Sequence, residues 1–149
     1  MTKNSPIFFR PLGDAQLDAE HGELQRLAEA LRAAPPQQLV AALDAVRAQV
    51  ATHFEGEDRD LRRLGGHNAE CHLDEHAAVL NSLYEVREIL ADPTVADHAK
   101  QHLAQRLAAQ LLQWLPEHVD QMDAGVAAVR DRERLGGTRV QITPRATAG

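Results

Sequence analysis

Between His53 and His76 the chain carries two pairs of side chains of metal-binding type, each pair four residues apart: His53 with Glu57, and His72 with His76. On an α-helix that spacing puts both members on one face, one turn apart. Gly65-Gly66 interrupts the segment between the pairs, and a glycine pair permits the chain to reverse. Two antiparallel helices would then aim four donors at one interior. Such a hairpin cannot enclose a core alone, so the chain must supply two more helices.

Apolar periodicity supplies them. A first pattern opens near Asp14, a good N-cap, and runs Leu17, His21, Leu24, Ala28, Leu31 in steps of four and three. Pro35-Pro36 ends it and opens the second, because proline expels its predecessor from the α region yet fits a first helical turn itself. The second stripe reads Leu39, Leu43, Val46, Val50, His53, Glu57, Leu61, Leu64. The third begins near Asn68, reads His72, His76, Val79, Leu83, Val86, Leu90, and stops at Asp92-Pro93. The fourth, from about Thr94 to about Leu135, carries Leu107, Leu111, Trp114, His118 and Met122, and Pro116 predicts a kink or local widening one turn ahead of His118. The expected fold is all-α: an up-down-up-down antiparallel four-helix bundle over residues 14–135 with a metal site in its core. Residues 1–13, with Pro6, Pro11 and Gly13, read as an N-terminal arm, and residues 136–149, after Gly136-Gly137, as a flexible C-terminal tail.

Composition agrees with a bundle and removes several alternatives. With 149 residues, 44% of them apolar and only 3% aromatic, the chain can bury a core built from Ala and Leu without disulfides. A net charge of −6 offers no basic stripe to nucleic acid or an anionic membrane. The single cysteine, Cys71, forms no internal disulfide, and no apolar run is long enough to span a bilayer. A cytoplasmic protein is expected, as a monomer or weak homo-oligomer.

The inward stripes collect His21, His53, Glu57, His72, His76 and His118, and Asp123 follows His118 by five residues, about 140° further round the helix. Burying two carboxylates beside five imidazoles costs several kcal/mol unless a cation compensates them. Seven donors exceed the four of a tetrahedral zinc site. With both carboxylates bridging, they furnish five bonds to one metal and four to the other, and a bridging oxygen adds one to each; one six-coordinate metal is then saturated and the other keeps an open position. Imidazole with carboxylate suits iron, with manganese or zinc as poorer matches.

The run His53-Phe54-x-x-Glu57-Asp58, then His72-x-x-x-His76, then Trp114-Leu115-x-x-His118-x-x-x-x-Asp123, preceded by His21, resembles the hemerythrins, the single-domain bacterial group above all. The resemblance spans roughly His21 to Asp123. It implies two iron ions with an oxo or hydroxo bridge: His72, His76 and His118 on the saturated iron, His21 and His53 on the iron that takes dioxygen, and Glu57 and Asp123 bridging. It further implies reversible dioxygen binding, with Leu115 as an apolar gate and Trp114, Leu24, Phe54 and Val119 lining the pocket. A peroxidase-like or nitric-oxide-handling enzyme, and a sensor of oxygen, iron or redox state, are the alternatives on the same site. Three segments depart from the family pattern: Ile7-Phe8-Phe9-Arg10-Pro11, Leu64-Gly65-Gly66-His67, and the long interval from His76 to His118.

Other tempting residues have plainer readings. His98 and His102 are also four apart, but at 1.5 Å per residue they stand roughly 24 to 30 Å along the helix from His118. They read as exposed, as does His67 in its turn. Cys71 reads as an inert packed thiol. Tyr84, two turns from His76, is poorly placed for a radical oxidase.

Overall fold

The computed structural model describes residues 12, 14–119 and 126–128. Four helices follow in order: α1 (Ala15–Ala33), α2 (Leu39–Leu64), α3 (His67–Ala91) and α4 (Asp97–His118), with one 3-10 turn at Pro36–Gln38 leading into α2. Helix α1 packs along α2 and α4, α2 also along α3, and a sparser α3–α4 contact closes the ring. This is the expected all-α antiparallel bundle.

Local chemistry explains the element boundaries. The Asp14 carboxylate accepts hydrogen bonds from the backbone N–H groups of Gln16 and Leu17, each at 3.1 Å, satisfying two donors that the first turn of α1 leaves over. Asp18 in turn accepts from the N–H of Leu12 at 2.8 Å, tying the preceding segment to the helix. The α2–α3 reversal takes Gly65 to φ 64° and Gly66 to φ 92°, a region that side chains with a Cβ rarely enter. Helix α4 starts three residues later than Thr94. The Asp92 carboxylate accepts from both the N–H and the hydroxyl of Thr94, at 2.8 and 2.6 Å, and this Asx turn holds Pro93-Thr94 out of the helix.

The bundle buries two apolar clusters. The larger gathers Leu24, Leu31, Leu43, Val46, Phe54, Leu83, Leu107, Leu111, Leu115 and Val119, among others; the smaller gathers Leu17, Leu61, Ala69, Val126 and Ala127. On α1, α2 and α3 the histidines and Glu57 lie between the two clusters, and His118 of α4 joins them. A polar layer therefore crosses the core near the Gly65-Gly66 end of the hairpin.

The expected stripes hold, and five details are corrected. Leu64, the last residue of α2 before the Gly65-Gly66 reversal, is 47% exposed. Val79 is only half-buried. On α4 the buried stripe passes through Leu115, not Trp114, which is half-buried. Steps of four-then-three and three-then-four both join Leu111 to His118, and the indole takes the rim because its N–H needs a polar partner. Cys71 is exposed, not packed, its Sγ 3.6 Å from Nε2 of the equally exposed His67. The helix runs through Pro116, and the widening falls just past His118, at Val119, and the Val119 N–H reaches the carbonyls of both Leu115 and Pro116. His98 and His102 are exposed, as expected. Met122 and Asp123, the arm before Leu12 and the tail after Gly136 lie outside the described residues.

Candidate metal centre

Each helix contributes to the polar layer at the register its stripe dictates. His21 of α1, His53 and Glu57 of α2, His72 and His76 of α3 and His118 of α4 are all at least 97% buried. Their donor atoms fall into two groups. Those of Glu57, His72, His76 and His118 lie within 4.8 Å of one another, as do those of His21, His53 and Glu57. Glu57 belongs to both. Its Oε1 meets His53 Nε2, and its Oε2 stands 3.5 Å from His72 Nε2. The structure thus brings together six of the seven residues that the sequence singles out; Asp123 lies outside the described residues.

Three carboxylates hold the imidazoles from behind. Nδ1 of His76 donates to Asp58 Oδ1 at 2.7 Å, Nδ1 of His118 to Glu75 Oε1 at 2.9 Å, and Nδ1 of His53 to Glu20 Oε2 at 2.5 Å. The same Glu75 oxygen accepts the Trp114 indole N–H at 2.5 Å. Such partners fix ring orientation and tautomer and make the inner nitrogen more basic. Each of the three is adjacent in sequence to a residue of the layer: Glu20 to His21, Asp58 to Glu57, Glu75 to His76. A step of one residue turns 100° on a helix, so each points sideways toward the neighbouring helix and meets that helix's histidine, not its own neighbour's. Sequence reading missed all three, and adjacency to a candidate ligand was the available signal. Burial pushes the Asp58 carboxyl above its usual range, against the opposing pull of Arg62, His72 and His53.

This geometry tests whether a metal fits. A neutral ring that donates from Nδ1 carries a lone pair on Nε2. The Nε2 atoms of His76 and His118 face each other at 3.3 Å, and those of His72 and His118 at 3.2 Å. The lone pairs of His76 and His118, turned on one another across so short a gap, repel unless a cation lies between them. A carboxylate beside the group adds negative charge, and imidazole with carboxylate is a transition-metal donor set. The residues fit.

Apolar surfaces enclose the layer on the side of the larger cluster. Phe54 stacks on His76, ring centroids 3.7 Å apart and planes 9° from parallel, and Trp114 stacks on His118 at 4.2 Å and 25°. Both rings lean on the three-histidine group, although Phe54 also stands 5.9 Å from His53. Leu24, Leu115 and Val119 are buried in the same cluster.

Fold and site together define a helical bundle whose core is built to hold cations. The sequence model of the hemerythrin HHE cation binding domain matches residues 12–129. The chain is 37% identical over 112 residues to a bacteriohemerythrin of Ralstonia nicotianae, the match covering 75% of this chain and 77% of that one. No solved structure gives a significant match. The chain belongs to the hemerythrin family.

Proposed function

We propose that this protein binds dioxygen reversibly, as a carrier or store, at a non-haem di-iron centre. In this reading His72, His76 and His118 hold one iron, His21 and His53 hold the other, and Glu57 and Asp123 bridge them. The observation that carries it is the pair of buried donor groups sharing one carboxylate, Glu57, beneath an apolar roof. When bound, the iron pair would supply electrons to dioxygen and take them back on release.

The remaining work falls to the chain. Glu20, Asp58 and Glu75 keep three imidazoles turned inward by holding their outer nitrogens. Leu24, Phe54, Leu115 and Val119, each no more than 3% exposed, keep water from the layer, and Trp114 covers its rim. Exclusion of water disfavours proton delivery to a reduced ligand, which is what separates reversible binding from turnover. That lining favours the carrier over the peroxidase-like or nitric-oxide-handling reading.

The test is a visible spectrum of the iron-loaded, reduced protein under argon, then in air, then under argon again, with iron counted per chain. Two irons and a charge-transfer band that comes with air and goes with argon are expected. Direct passage to a stable oxidised spectrum would replace the carrier reading with an enzyme or a sensor, and absence of iron would sink all three.

A further inference from the structure

A surface cavity of about 390 Å³ opens between α1 and α2, with Gln16, Glu20, Glu55, Gly56, Arg59 and Asp60 in its wall. We propose that this cavity is the port through which metal cations reach the buried layer, a role that rests on the metal-binding reading above. Two independent features support it. The first is position: Glu20 is both a wall of the cavity and the partner of His53 at 2.5 Å, so one carboxylate side chain separates solvent from an imidazole of the two-histidine group. Glu20 itself is 22% exposed, whereas His53 is 2% exposed. The second is charge: Glu20, Glu55 and Asp60 outnumber Arg59 in the wall and Arg63, which pairs with Asp60 at 3.0 Å, so the cavity keeps a net negative charge that concentrates cations.

The chemistry of entry follows. A hydrated divalent cation loses waters reluctantly, and carboxylate oxygens replace them at least cost. Glu55 and Asp60 attract the ion, and Glu20 offers an oxygen to it next to His53. Gly56 stands in the cavity wall on the turn between His53 and Glu57 and presents no side chain across this path. Binding at His53 and Glu57 then draws the ion inward and lets the Glu20–His53 hydrogen bond re-form.

The experiment is anaerobic loading of metal-free protein with Fe(II), followed in a stopped-flow instrument by quenching of the fluorescence of Trp114, which stacks on His118, comparing wild type with Glu55→Gln/Asp60→Asn and with Glu55→Gln alone. Both variants should reach the wild-type iron content, the double variant roughly tenfold more slowly at low salt and the single variant by less, with a weaker dependence of rate on ionic strength. Glu85→Gln/Asp97→Asn, which removes the same charge elsewhere on the surface, should load at the wild-type rate. Equal rates for wild type and both cavity variants would overturn the port and leave the di-iron reading standing. A lower final iron content in the cavity variants would overturn it too, because those carboxylates would then be ligands. Wild-type protein that takes up no iron would overturn both.

Discussion

The two halves of the polar layer share Glu57 but are built differently. The half of His72, His76 and His118 is braced by two carboxylates, Asp58 and Glu75, and clamped between two aromatic rings. In the half of His21 and His53 the described residues show the carboxylate of Glu20 bracing His53, and it lies in the wall of a solvent-facing cavity. Rigidity on one side and access on the other suit a metal that stays saturated next to a metal that exchanges a ligand. The difference teaches that asymmetry between two donor groups need not come from the donors alone; it is also set by what holds them.

The hardest test of that comparison is the residue the halves have in common. Glu57→Ala should strip both metals, leaving well under one iron per chain. Metal binding is folding free energy here, so the loss should exceed roughly 5 kcal/mol of holo-protein stability. His53→Ala, by contrast, should leave close to one iron in the three-histidine half. Metal analysis with thermal melts checks both, and a Glu57→Ala protein that keeps two irons would show that the halves are not joined through this carboxylate.

Next in size is the roof. Leu115 is 3% exposed, and Leu115→Ala should cost about 2–5 kcal/mol through the cavity it leaves. Iron content should be unchanged, but conversion of the oxygenated to the oxidised spectrum should accelerate, since water gains access to the open side. An unchanged oxidation rate would remove Leu115 from the gate.

The braces come third. Glu75→Gln releases His118 and Trp114 together, whereas Glu20→Gln loosens only His53. Removing such a partner typically weakens metal binding by about ten- to a hundredfold. Glu75→Gln should fall near the upper end and Glu20→Gln near the lower, measured by competition with a chelator. Equal losses would mean that the two halves are equally stiff.

The fold and most of the layer were legible in the sequence because helical periodicity records burial directly. His21, His53, Glu57, His72, His76 and His118 each stand where a leucine would, so the stripes expose them. The bracing carboxylates were illegible for the same reason. Glu20, Asp58 and Glu75 lie 100° off the stripe, where a helical pattern shows a solvated face, and only the packing of a second helix against that face reveals their partners. Trp114 and Leu115 were ambiguous because both satisfy the helical steps to His118, and no period distinguishes a rim from a core. Cys71 was misjudged because it lies 100° round α3 from the buried His72, on a face that the helix leaves exposed.

The smallest effect should come from the far end of the hairpin, away from both halves. There Asp44 of α2 accepts from Arg87 of α3, Nε at 2.9 Å and Nη2 at 3.5 Å, and from Arg47 at 3.4 Å. The hydrogen bond from Arg87, helped by the charges of both arginines, holds the Asp44 carboxyl below its ordinary 3.8. The folded protein therefore binds this proton more weakly than the unfolded chain does. The stabilisation is complete above about pH 4 and disappears as the pH falls through the folded-state value. Asp44 is 45% exposed, so solvent screens the pair and the contribution is about half a kcal/mol. Asp44→Asn should lower the urea midpoint slightly at pH 7 and not at all near pH 2, with the iron content of the neutral protein untouched. A loss of iron in this variant would mean that the α2–α3 clamp reaches the polar layer, and the stiffness assigned to its three-histidine half would no longer be local.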